Sequence, residues 1–257
     1  MPASAALRLQ IETTLAIRVP AALTLKIKQA PELFATGISE VDAVLGGGIP
    51  RGSITELSGT ASTGKTSFGL SAIAAITRSG AACAWVDVSD ALSPESAAAA
   101  GVELKRLLWL RTSAERKERV TDKSWSRLEQ ALKATDLLLQ AGGFAAVVLD
   151  MSDVLPQHTM RIPLATWYRF RLAAEQARTA LIFLTQAPCA GSCAALVLRS
   201  EPTCIQPFSS HGETPLFERQ PYMLVRERNR NEGSPFLQKK PSVRAEWHAE
   251  TLWSRVR

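Results

Sequence analysis

The sequence predicts an α/β fold: a mostly parallel central sheet flanked by helices, with antiparallel strands at the C-terminal end. Three observations carry this. From Thr36 onward, short strand candidates alternate with helical stretches of roughly 10–20 residues, the pattern of βαβ units. Two strand candidates, Ala81–Val88 and Phe144–Asp150, are nearly continuous apolar runs, as strands covered on both faces are. After Pro188 the periodicity becomes β-like and turn-rich. With 257 residues, 46% hydrophobic and 21% charged, the chain can build such a core. The same values exclude a mostly disordered, collagen-like or disulfide-scaffold protein.

The elements follow in order. Ala6–Ala22 carries Leu7, Leu9, Ile11, Leu15 and Ile17 and reads as a helix that stops at Pro20, with an extended linker through Lys28–Pro31. Ile54–Leu57 is a strand, Gly59–Thr66 a glycine-rich loop, and Ser67–Arg78 an alanine-rich helix. Ala81–Val88 is a strand, and Ser93–Ala100 a helix with Ser93 as N-cap and Pro94 at its first position. Leu107–Leu110 is a short strand, and Lys117–Ala141 a helix ended by Gly142–Gly143. Phe144–Asp150 is a buried strand, Pro163–Ala180 a helix, and Ala180–Gln186 a strand. These elements divide the chain into an N-terminal helix and linker (1–30, for oligomerisation or partner docking), a core (31–240) and a basic C-terminal tail (241–257).

The loop Gly59-Thr60-Ala61-Ser62-Thr63-Gly64-Lys65-Thr66 fits the phosphate-loop pattern G-x-x-x-x-G-K-[ST] at every fixed position. Glycines let successive backbone N–H groups turn inward onto a phosphate, and the following helix adds the positive end of its dipole. In this pattern Lys65 reaches the β- and γ-phosphates of ATP and the Thr66 hydroxyl ligates Mg²⁺. Such a site needs a second carboxylate at the end of a neighbouring buried strand. Asp150, closing the apolar run Ala145–Leu149, supplies it.

From residue 31 onward the chain resembles the RecA recombinase family. The run Thr36–Gly52 looks like that family's lead-in to its phosphate loop. Val86-Asp87, Ala91-Leu92-Ser93-Pro94 and Gly101-Val102 are similar to its second strand and helix. The resemblance implies that Gln186, in Phe183-Leu184-Thr185-Gln186, senses the γ-phosphate. It implies that Arg228 and Arg230 act in trans at a subunit interface, on the neighbour's nucleotide, as the family's paired lysines do. Within the superfamily, Trp85-Val86-Asp87, Leu107-Leu108-Trp109-Leu110-Arg111 and Gly142-Gly143-Phe144 look like the ImuA-type proteins. That closer resemblance implies an accessory role in DNA-damage tolerance by error-prone translesion synthesis. The partners it implies are a Y-family polymerase homologue and an error-prone replicative-type polymerase, with RecA or self-oligomers as further candidates.

The departures bear on activity. Ser89 stands where recombinases carry the glutamate that activates water, and a serine is no base at neutral pH without help. Asp90 is adjacent but points to the other side by strand periodicity. The expectation is ATP binding with weak or absent hydrolysis. The segments matching the two DNA-binding loops are short, residues 151–162 and Ala187–Cys193, so direct DNA contact by the usual loops is in doubt. The alternative is an active DNA-dependent ATPase recombinase that forms filaments on single-stranded DNA. A small-molecule P-loop kinase is a third reading.

The formal charge of +6 is uneven. Residues 1–30 carry net +3 and residues 219–257 net +5, which leaves 31–218 at −2. This suits two basic ends that engage partners better than a core that grips nucleic acid. Trp247 and Trp253, among Arg244, Arg255 and Arg257, read first as exposed aromatics that anchor a partner protein or stack on nucleic acid, with packing on their own domain the remaining alternative. Cys189, Cys193, Cys204 and His211 match no common zinc spacing. Four irregular cysteines, no membrane-spanning run and no signal-peptide pattern lead to the expectation of a cytoplasmic protein, with nucleoid association a further candidate.

Overall fold

The computed structural model describes residues 31–112, 123–203, 221–230 and 243–249. The helix read at Ala6–Ala22, Cys204, His211, Trp253, Arg255 and Arg257 lie outside the described residues. A two-stranded antiparallel pair, β1 (Leu33–Phe34) and β2 (Ile49–Pro50), brackets α1 (Ser39–Leu45). The main sheet then builds from β3 (Ile54–Ser58), α2 (Lys65–Arg78), β4 (Cys83–Asp87), α3 (Pro94–Ala99), β5 (Leu107–Arg111), α4 (Lys123–Ala141) and β6 (Ala146–Asp150). It continues with α5 (Pro156–Thr159), α6 (Leu164–Ala177), β7 (Ala180–Thr185), β8 (Ala194–Pro202), β9 (Pro221–Asn229) and β10 (Val243–His248). The strand order is β10-β9-β8-β3-β7-β6-β4-β5. Six neighbouring strands, β8 through β5, are parallel, and β9 and β10 add to β8 in antiparallel fashion. This is the predicted fold class.

The continuous apolar strands are explained by burial on both sides. In β6, Ala146 and Val148 face the layer built by Phe68 and Ile73 of α2, while Val147 and Leu149 face Leu128 of α4 and Trp167 and Phe170 of α6. A period of two is therefore present, but both phases are apolar. Ser93 caps α3 as read, its hydroxyl accepting from the Ser96 amide at 3.1 Å. Helix α2 begins at Lys65, directly out of the phosphate loop.

The sequence reading of Trp247 needs correction. It is 2% exposed, on β10, and its ring packs 4.9 Å from that of Tyr222 within the layer over α2. Along β10 outward charge alternates with inward apolar groups, so Arg244 and Glu246 face solvent while Ala245 and Trp247 face the core. Reading Trp247 together with Arg244, Arg255 and Arg257 as one basic tail hid that alternation.

Between β7 and β8 the chain makes a short crossover, 186–193, from the carboxyl end of the parallel sheet to its amino end. The crossover lies against β3. The Glu56 carboxylate, 1% exposed, accepts from the amides of Cys189 at 2.6 Å and Ala190 at 3.1 Å. A carboxylate that well buried is stable only when so engaged. Among the described residues, no helix is long and apolar enough to cross a membrane.

Candidate functional site

Gly59–Thr66 sits at the carboxyl end of β3, between β7 and β8. The Gly59 amide donates to the Thr185 carbonyl at 3.1 Å, and the Thr63 hydroxyl donates to the Thr60 carbonyl at 2.9 Å. Two positions admit glycine alone. A Cβ on Gly59 would lie 2.6 Å from the Ser200 carbonyl oxygen and 2.7 Å from Thr63 Oγ1. One on Gly64, where φ is 82°, would lie 2.6 Å from Cγ of the Tyr222 ring. The Ser200 hydroxyl also donates to the Thr63 carbonyl. The loop is thus wedged from behind, and Thr60, Ala61, Ser62 and Thr66 are left exposed.

Lys65 is 4% exposed, and its ammonium donates to the carbonyls of Gly59 at 2.6 Å and Thr60 at 2.5 Å. Burial pushes its pKa down, and Asp150 and Asp153 pull it back up. Asp150 stands at the carboxyl end of β6, in register with Asp87 at the end of β4, so two carboxylates are adjacent beyond the sheet. The Asp87 carboxylate is engaged by the amides of Ser89 at 3.1 Å and Leu92 at 2.9 Å. Asp150 accepts from the Ser152 amide at 3.0 Å. Burial raises its pKa to about 6; the Ser152 hydrogen bond opposes this, and Asp87 and Asp153 add to it.

These residues fit a nucleotide triphosphate with Mg²⁺. A loop at a helix N-terminus, close enough in its packing to require glycine at both ends, holds an ammonium and faces a carboxylate. Gly59–Thr66 would take the phosphates, and Thr66 and Asp150 the Mg²⁺, which when bound supplies charge neutralisation for the phosphate oxygens. Lys65 would place its positive charge against those phosphates, and Asp150 would ligate only when ionised.

A carboxyl pKa raised on folding stabilises the fold when neutral. That contribution is complete below the unfolded value of 3.8 and is lost as pH rises through about 6. Asp150→Asn is therefore expected to raise stability at pH 7.5 by about 1–3 kcal/mol, with roughly half of the gain remaining at pH 5. Mg²⁺-dependent ATP affinity should fall in the same variant. Denaturant titrations at both pH values check this; a loss of stability at pH 7.5 would refute it.

The other sequence-predicted residues lie at three places. Ser89 follows β4 and is half-buried. Asp90, beyond the end of β4 with φ 58°, pairs with Arg111 of β5 at 3.5 Å, on the side of β4 away from β6. Gln186 directly follows β7, next to the Thr185 carbonyl that receives the Gly59 amide. Arg228 and Arg230 sit at the opposite, amino end of the parallel strands, so the structure does not bring them to their own chain's phosphate loop. Arg228 donates to the carbonyls of Gly191 at 2.5 Å and Ala194 at 3.0 Å, and Arg230 to that of Ser192 at 2.6 Å. Burial lowers the Arg228 pKa.

Sequence reasoning missed Glu56, Ser200 and Tyr222. A glutamate inside an apolar strand was a signal for the first. Ser200 and Tyr222 reach the loop from more than 130 residues away and left no local trace.

The profile of the family described as "RecA N-terminal domain" matches residues 6–162. The chain is 37% identical over 123 residues to "Protein RecA" of Acinetobacter baumannii, covering 48% of this chain and 32% of that protein. It is 31% identical over 170 residues to "Protein RecA" of Rhizobium rhizogenes, covering 60% and 44%. The alignments thus span less than half the length of these relatives. Among solved structures, that of the RadB recombinase superposes with a TM-score of 0.57 at 17% identity, covering 83% of this chain and 94% of that one, a likeness of fold.

Proposed function

We propose, from the premise that this chain belongs to the RecA N-terminal domain family, that it is a RecA-type subunit of DNA repair which binds ATP·Mg²⁺ and turns it over slowly. The observation that carries this is the wedged Gly59–Thr66 loop with the Lys65 ammonium at its base and Asp150 beyond the adjoining strands. Slow turnover follows from Ser89, since Asp90 is drawn toward Arg111 and Asp87 is occupied by backbone amides.

Of two finer readings, the similarities to known proteins favour the first. The similarity to proteins named RecA and to the RadB recombinase supports a subunit that assembles on single-stranded DNA with DNA-dependent ATPase activity. In that reading Gln186 reports the γ-phosphate, and Arg228 and Arg230 act on a neighbour's nucleotide. The accessory reading, in translesion synthesis beside a Y-family polymerase homologue and a replicative-type polymerase, draws support from Ser89 and from the short crossover. Glu56, Arg228 and Arg230 hold that crossover by both its amides and its carbonyls. A cytoplasmic location belongs to both.

ATP turnover with and without single-stranded DNA, measured beside nucleotide affinity, separates them. Tight binding with negligible turnover in both conditions supports the accessory reading; strong DNA stimulation supports the recombinase reading. Ser89→Glu is expected to raise turnover roughly tenfold or more, restoring part of the 10²–10⁴-fold that a positioned base contributes. A rate no higher than wild type would remove Ser89 as the cause of slow hydrolysis. Absence of any ATP binding would overturn the whole proposal.

A further inference from the structure

We infer that Tyr222, backed by Trp247, is a positioning residue for the phosphate loop. The inference rests on the reading of Gly59–Thr66 as the nucleotide loop. A Cβ added to Gly64 would lie 2.6, 2.7 and 2.8 Å from Cγ, Cδ1 and Cδ2 of Tyr222, so the ring lies directly over the backbone of Gly64. Gly64 precedes Lys65 and is the N-cap of α2, and its carbonyl accepts the Phe68 amide at 2.9 Å. Its backbone orientation therefore sets both the start of the helix and the direction of the amides at that end.

Glycine at φ 82° has more alternative conformations than any other residue, and an unsupported loop would spread over them. The ring excludes those that move the Gly64 backbone toward β9. Trp247, 2% exposed, holds the ring from β10 at 4.9 Å and an interplanar angle of 38°. Ser200, on β8, grips the Thr63 carbonyl with its hydroxyl and presents its own carbonyl to Gly59. Strands β8, β9 and β10 thus each give one side chain to a wall behind the loop. Such a wall holds the loop amides in place before a ligand arrives, which lowers the ordering cost of binding. Burial alone could be met by any apolar side chain at 222. A flat face against glycine needs a ring.

Tyr222→Leu and Tyr222→Phe separate the two roles. Hydrogen exchange of amides 60–66 in the ATP-free chain is one readout, and affinity for a fluorescent ATP analogue with Mg²⁺ is the other. Tyr222→Leu should speed loop exchange at least tenfold, leave the amides of 146–150 unchanged, and weaken binding about tenfold. Tyr222→Phe should stay within twofold of wild type in both. The inference fails if Tyr222→Leu matches wild type in loop exchange, if the amides of 146–150 accelerate equally, or if Tyr222→Phe loses as much as Tyr222→Leu. If wild type and Lys65→Ala bind the analogue equally poorly, the nucleotide reading falls, and the exchange comparison still decides the wall.

Discussion

Lys65→Ala is expected to weaken ATP binding about 100-fold while leaving the fold intact. Hydrogen bonds to charged groups contribute about 1.5–3 kcal/mol each, and a loss near 2.7 kcal/mol is a factor of about 100. The ammonium is already in place at the loop, on the carbonyls of Gly59 and Thr60, so the charge lost is one held beside the proposed phosphate site. In the ATP-free chain the effect is small, because losing two hydrogen bonds offsets relief from burying a cation. Lys65→Arg is expected to lose most of the affinity too, since a planar guanidinium does not fit the slot that an ammonium fills at 4% exposure. Calorimetric titration with ATP and Mg²⁺, with denaturation of the ATP-free variants, checks both. An affinity within threefold of wild type for Lys65→Ala would sink the site.

The phosphate loop and its carboxylate were legible because their chemistry is local. Gly59, Gly64, Lys65 and Thr66 fall in one octapeptide, and Asp150 closes an apolar run, so the sequence marks both. The parallel strands were legible because double burial leaves an unbroken apolar stretch, as in β6. The wall behind the loop was not. Ser200 and Tyr222 are ordinary strand residues, and only the pairing of β8 and β9 next to β3 brings them to the loop. Glu56 was visible as an anomaly, but its partners are backbone amides of the crossover, which a residue pattern does not record. The short α1 and the β1–β2 pair escaped because seven- and two-residue elements carry too little periodicity to register.

Trp247→Ala is expected to cost about 3–5 kcal/mol of folding stability, the range for removing a buried tryptophan. An exposed tail residue would change stability by no more than about 0.5 kcal/mol, so denaturant titration discriminates the two placements outright. Against a typical total of about 5–15 kcal/mol the loss is roughly a fifth or more, and the variant should melt at clearly lower denaturant. Trp247→Phe keeps a ring against Tyr222 and should lose much less. The placement also changes what a truncation means: deleting residues 245–257 removes Ala245 and Trp247, both buried, together with the pairing of Ala245–His248 on β9. Loss of partner or DNA retention in that truncation would then report damage to the fold and not a missing anchor. A truncation after residue 249 keeps β10 whole and removes Trp253, Arg255 and Arg257, so it tests the basic end by itself. Full stability with lost retention in that shorter truncation assigns the anchor to 250–257, whereas a Trp247→Ala variant as stable as wild type would overturn the assignment of Trp247 to the core.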